Sequence, residues 1–312
     1  MCEVKSDAEF QRERCDHAAR LVTQYQSGLF SDSGAWLGDG TPPPVRERLY
    51  FAMTFLRGGE INKANEIIKT TNYIKCHFSP MIALQLLIKY DALLAEKAKS
   101  TLLDYVEHQI DGFAGCDLDY VGVNDNFPSM ATYILLVGGQ LLKRPELVKR
   151  GAERINQFKA LLTRRGVASE YNSPTYSPIQ LLAMAEIANT VQDSGVRQTA
   201  VACEQRVWAD CLGHLHVETC HTAGPYSRAY ADDSAAYSGL MSCALYAVLG
   251  EALPVNVINT LLSSPHGQKG GYAHNGAAFS QINVVWLTDT SYHCPEALIN
   301  FATHKKYPYE MT

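Results

Sequence analysis

Several features are scarce or missing in this 312-residue chain, and each absence narrows the field. No stretch reaches the roughly 18 consecutive apolar residues of a membrane-spanning helix. The opening MCEVKSDAEFQRERCDHAARL is charged throughout and lacks the apolar centre of a secretory signal, so the expected compartment is the cytoplasm, with no membrane partner. Basic residues do not cluster. The 27 Lys and Arg stand against 32 Asp and Glu, a net charge of −5, and no cationic patch interleaves with aromatics, so nucleic acid is excluded as a partner. The nine cysteines, at 2, 15, 76, 116, 203, 211, 220, 243 and 294, are odd in number and show no CxxC spacing, which argues against a disulfide framework and a zinc ribbon. Cys220-His221 and His293-Cys294 are the only Cys/His neighbours, and adjacent side chains diverge, so neither a metal nor a cofactor is expected. Strand signals are nearly absent; INVVWLT at 282–288 is the main one, and by itself it fits an extended loop equally well. No tetratricopeptide or ankyrin repeat and no Pro/Ser-rich linker divides the chain.

What is present is helical patterning over a chain that is 46% hydrophobic, enough for a large core. Apolar residues recur at helical spacing near 7–26, 44–57, 60–70, 80–93, 95–111, 126–142, 145–163, 175–192, 194–214, 232–249, 254–262 and 295–303. In KRPELVKRGAERINQFKALL, Pro145 suits a first turn, Leu147, Ile155, Phe158 and Leu162 form an inner stripe, and basic residues face outward. The reading is one all-α domain over 1–312. Helices alternate with polar, Gly-rich loops at a period of roughly 40–50 residues. That rhythm predicts helical hairpins around a ring, an (α/α) toroid, complete or partly open.

A ring of hairpins gathers loops at one mouth. The polar loops are CDLDYVGVNDNF (116–127), EYNSPTY (170–176), HTAGPYSRAYADDS (221–234), GGYAHNG (270–276) and TDTSYHC (288–294). They supply phenols, amides, imidazoles and one prominent cation. Such a set suits removal of a proton beside a carboxylate, where amides and cations stabilise the enolate-like state and a base approaches the carbon. The expected catalytic residues are Asn172, Tyr176, His221, Arg228 and Tyr230; the expected substrate-binding residues are Asn124, Glu170, Tyr226, Tyr272 and His293. A phenol titrates near 10, so Tyr230 or Tyr176 needs a neighbouring cation to act as the base.

With EYNSPTY and GPYSRAY on such a ring, the chain resembles the helical domain of heparinase-like and alginate-lyase-like polysaccharide lyases. The resemblance extends over most of the chain. It implies β-elimination beside a uronic acid in an oligosaccharide, with Asn172 as the carboxylate-neutralising amide, Tyr230 as the acid/base, and Arg228 and His221 as its activators. Asp125 follows Asn124 where many such lyases have His, and the C-terminal β-sandwich that many of them carry has no counterpart within these 312 residues.

Other readings of the same residues stay open. Asn172 and Ser173 have the chemistry of a helix cap before Pro174. Tyr226 and Tyr230 are compatible with half-buried packing, and Asp232 and Asp233 with first-turn acids favoured by the helix dipole. ADDSAAYSG and CDLDY are incomplete versions of terpene-cyclase aspartate motifs, without a full set of magnesium ligands. A Tyr-lined toroid without metal also suits a cyclase or isomerase of small-molecule biosynthesis, including a pericyclase of Diels-Alder type. A non-catalytic helical scaffold is the third reading. The partner implied by both enzyme readings is a small molecule or oligosaccharide bearing a carboxylate.

Overall fold

The computed structural model describes residues 8–38, 41–229, 239–263, 277–307 and 309–310, and it is all-α. In chain order the helices are α1 (Ala8–Gln26), α2 (Val45–Gly58), α3 (Ile61–Thr70), α4 (Ser79–Lys89), α5 (Glu96–Ile110) and α6 (Asn126–Tyr133), followed by α7 (Pro145–Arg165), α8 (Ser177–Thr190) and α9 (Ser194–His214). The last four are α10 (Leu240–Leu249), α11 (Val257–Ser263), α12 (Ala277–Thr288) and α13 (Glu296–Thr303). Among the described residues β structure is confined to an isolated Phe30–Trp36 bridge and to β1 (Leu215–His216) and β2 (His221–Thr222), an antiparallel pair with Leu215 opposite Thr222.

Burial divides the helices into two kinds. Residues 47–56 of α2, 79–86 of α4 and 177–188 of α8 are buried without a break, so these helices are covered on every side. The odd-numbered helices are one-faced: α7 buries Leu147, Gly151, Arg154, Ile155, Phe158, Leu161 and Leu162 and turns its charges outward. Packing passes from α2 to α4, then through α6, α8, α10 and α12, and from α12 back to α2. Helices α1, α3, α5, α7 and α9 lie against α2, α2, α4, α6 and α8 respectively. After Tyr133, α6 continues through a π-helical stretch (Ile134–Gly138), and Gly151 brings α7 close to it: a Cβ there would sit 2.7 Å from Leu136 Cγ.

INVVWLT is helical, forming most of α12, which corrects the strand expectation for 282–288. Residues Val284–Leu287 are buried and α12 packs on both α2 and α10. A β-branched, apolar run covered on several sides is not bound to period 2, so packing overrides the local preference.

Loop contacts show that the even-numbered helices run the same way. Where α2 and α4 begin, the Arg46 guanidinium lies 5.2 Å from the Phe78 ring centroid, and where α4 and α6 begin, His77 stacks on Phe127 at 4.7 Å. In the first turn of α10, the Met241 amide donates to the carbonyl of Pro174, just before α8, at 3.0 Å. The opposite ends also meet: Lys89, closing α4, pairs with Glu186 near the end of α8, and Arg57 of α2 with Asp289 just after α12. One end therefore gathers helix N-termini, which favour negative charge, and the other gathers C-termini, which favour positive charge. Between them, Trp286 packs on Tyr50 with centroids 4.9 Å apart and donates its Nε1–H to Gln85 Oε1 at 2.7 Å.

Candidate functional site

The N-terminal end is organised by Glu170, a carboxylate 1% exposed. Its Oε2 accepts from the backbone amides of Asp125 (3.0 Å) and Asn126 (2.9 Å), and both its oxygens accept from Asn126 Nδ2, at 3.1 and 3.0 Å. The carboxylate thus sits on the otherwise unpaired donors that open α6, where the dipole favours it. Asn124 Oδ1 fixes Asn126 from the other side, accepting from its Nδ2 at 2.9 Å. Asp125 turns back to accept from the Ser169 amide; burial pushes its carboxyl up, the Ser169 contacts oppose this, and the Glu170 charge adds to it.

Arg228 completes the group. Its Nε lies 3.3 Å from Glu170 Oε1, its guanidinium carbon is 5.5 Å from the Tyr176 ring centroid, and 40% of its side chain is exposed. It holds a backbone φ of 56°, a left-handed conformation uncommon for any residue other than glycine. Glu170, Tyr176 and Arg228 are therefore brought together, as expected. Asn172, two residues after Glu170, has its amide committed elsewhere: Nδ2 donates to the carbonyls of Ala223 (2.6 Å) and Pro225 (3.0 Å), and its backbone amide donates to Asp210 Oδ2 at 3.1 Å. Asn172 moors the segment that carries Arg228. It is not the cap of α8; Ser173 Oγ accepts from the Tyr176 amide at 3.0 Å and Ser177 Oγ from the Ser173 amide at 3.1 Å.

The model for the domain of unknown function named DUF8769 matches residues 76–279. The chain belongs to that family. No curated protein and no solved structure matches it. The DUF8769 segment contains the whole Glu170 network together with His77, Phe78 and Phe127 of the same end.

The remaining expected residues of this DUF8769 chain are distributed differently. His221 lies in β2, opposite His216, and is partly buried. Tyr226 is 37% exposed and donates its hydroxyl to the Thr222 carbonyl, which holds the turn before Arg228. Tyr230 and Tyr272 lie outside the described residues. His293 stands apart from the others: its Nδ1 pairs with Glu204 Oε2 at 2.8 Å and its amide with Glu204 Oε1 at 2.7 Å, on α9. The loop that carries it follows α12, so it sits at the C-terminal end and does not join the Glu170 group. The hydrogen bond to Glu204 holds the His293 imidazole above its usual range, with burial acting against it.

Deeper along the even-numbered helices, neutral polar atoms are buried without partners among the described residues. They include Gln85 Nε2 on α4, Tyr133 Oη on α6, and Gln180 Nε2 and Oε1 on α8. Leaving each such atom unpaired costs about 1–3 kcal/mol, and native interiors carry few of them. Among the described residues no three His, Cys, Asp or Glu come together as a metal would require, and no helix is long and apolar enough to cross a membrane. Eight described cysteines are free. Sequence reading passed over Gln85 and Gln180, for which a glutamine inside an apolar helical stripe was the available signal.

Proposed function

We propose that the chain is an enzyme built as an (α/α) toroid. It takes a largely apolar small molecule bearing a carboxylate or polarisable carbonyl at the N-terminal mouth and isomerises or cyclises it. The return of packing from α12 to α2 supports the toroid. The observation that carries the chemistry is Arg228, held by buried Glu170, lying against Tyr176 and still 40% exposed. A guanidinium fixed in this way is a preorganised donor for an acid or carbonyl oxygen. Its surroundings at the same end include His77, Phe78 and Phe127, so the rest of the substrate meets mainly aromatic surface. Gln85 Nε2, the Gln180 amide and the Tyr133 hydroxyl, without partners among the described residues, offer it neutral hydrogen bonds farther in.

β-Elimination on a uronic-acid oligosaccharide is the second reading, favoured by the adjacency of a cation and a phenol at Arg228 and Tyr176. It asks Asn172 to donate to a carboxylate, whereas its Nδ2 already donates to the backbone carbonyls of Ala223 and Pro225. Exchanging the amide's oxygen and nitrogen would set three oxygens against one another, so the assignment stands on the network. The cytoplasm remains the proposed compartment, supported by the eight free thiols.

The test is a thermal-shift panel of hydrophobic carboxylic acids against uronic oligosaccharides, since a ligand of the folded state raises its stability by mass action. Hydrophobic acids should stabilise the wild type and lose their effect in Arg228→Gln. Stabilisation by uronic oligosaccharides alone would reverse the order of the two readings. Once a substrate is in hand, Tyr176→Phe and Tyr230→Phe separate roles: proton transfer predicts a loss on the order of 10²-fold or more in turnover, and cavity shaping predicts most activity retained.

A further inference from the structure

At the end opposite the mouth, a cavity of about 470 Å³ opens among the last turns of α2, α4, α8 and α12 and the first half of α1. That is the size of a small-ligand pocket. Most of the charge on its wall is accounted for. The Lys89 ammonium donates to Glu186 Oε1 and to the Asp289 carbonyl. Arg57 Nε donates to Asp16 Oδ1 at 2.6 Å and its Nη1 to Asp289 Oδ1 at 3.3 Å, while Tyr90 donates to Asp289 Oδ2 at 2.9 Å.

Two groups are left over. Glu186 is 1% exposed, yet among the described residues no donor meets its Oε2 in hydrogen-bonding geometry. Burial pushes this carboxyl above the usual range, with Lys89 and the nearby Thr290 hydroxyl opposing. A buried acceptor of this kind calls for a donor. Arg12 is exposed on the same wall and forms no ion pair among the described residues. The lining also holds more cation than anion, with Arg12, Arg57 and Lys89 set against Glu186 and Asp289.

We infer that this cavity is a second ligand site, for a small hydroxylated anion whose acid group meets Arg12 and Arg57 and whose hydroxyl donates to Glu186 Oε2. A hydroxy-carboxylate and a sugar phosphate share that chemistry. A neutral polyol leaves the Arg12 guanidinium unused, and a plain anion leaves Oε2 without a donor. An ammonium at Oε2 meets the charge of Lys89, already on the other oxygen of the same carboxylate. Thr190, Thr290 and Ser291 on the wall suit further hydroxyls. No residue of the mouth takes part, so the inference stands independently of the proposed activity.

The experiment is a thermal-shift and calorimetric comparison on the full chain, using a hydroxy-carboxylate series, a sugar-phosphate series, their deoxy counterparts and neutral polyols. One of the two hydroxylated series should raise the melting temperature by roughly 2–4 °C at saturation and so identify the acid group. Its deoxy counterparts and the polyols should do less. Arg12→Ala, a change at an exposed side chain that leaves the fold intact, should weaken binding on the order of 10-fold or more, as loss of a charge-assisted hydrogen bond does. Tyr176→Phe should leave binding unchanged. The inference is overturned if neither hydroxylated series stabilises the protein, if deoxy anions do as well, if Arg12→Ala binds normally, or if Tyr176→Phe abolishes the response.

Discussion

Glu170 and Arg228 form one ion pair whose two ends stand in different surroundings, and substitution should show the asymmetry. Removing Glu170 leaves two amides at the start of α6 and the Asn126 side chain without their shared acceptor. Glu170→Ala should therefore cost about 3–5 kcal/mol, the range for breaking a buried pair. Arg228 is 40% exposed, so Arg228→Ala should cost about 1 kcal/mol or less while removing ligand response at the mouth. Urea denaturation of the two variants checks this; equal costs would mean that Glu170 serves Arg228 alone. Much of this site was legible in the sequence, because Glu170, Tyr176 and Arg228 stand in polar loops beside helix starts. The role of Asn172 was not, since its amide partners lie 51 and 53 residues away and leave no local trace. Capping by Asn172 or Ser173 was a sound local reading that the structure does not bear out: α8 begins without a side-chain cap, and the Ser173 hydroxyl closes the turn that leads into it.

At the scale of elements, periodicity located the helices well wherever one face is charged, as in α7 and α9. It failed at α12, where a covered, β-branched segment has no polar face to set the period. The loop after α12 was misplaced for a related reason. Its polar residues look like those of the mouth, and only the hairpin count says which end they reach. His293 there is tied to Glu204 on α9, and this pair should give the loop a pH dependence. The hydrogen bond to Glu204 raises the folded value of His293 above the unfolded one. Its contribution is then full below the ordinary imidazole value of about 6.5 and is lost as pH rises through the folded value. Denaturation midpoints between about pH 5.5 and 8.5 should fall with rising pH, and His293→Gln should flatten that slope. An unchanged slope in the variant would assign the dependence to another group.

For the whole molecule, the central consequence is the contact between α12 and α2, which are far apart in the chain yet packed together. The helical rhythm suggested a ring but left its closure open, because closing contacts are made by buried apolar residues that look the same in an open array. Trp286 marks the contact: it is 1% exposed, packs on Tyr50 of α2 and hydrogen-bonds Gln85 of α4. In an open array each hairpin depends only on its neighbours, so damage at one end frays that end and spares the rest. In a closed ring the same damage weakens elements at both ends of the sequence at once. Trp286→Ala should cost about 3–5 kcal/mol, as truncation of a buried aromatic does. On the ring proposal, helical circular dichroism and the fluorescence of Trp208, buried on α9, should lose their midpoints together and by the same amount. An early transition that removes part of the helical signal while Trp208 remains native would mean that α12 closes nothing and the helices form an open array.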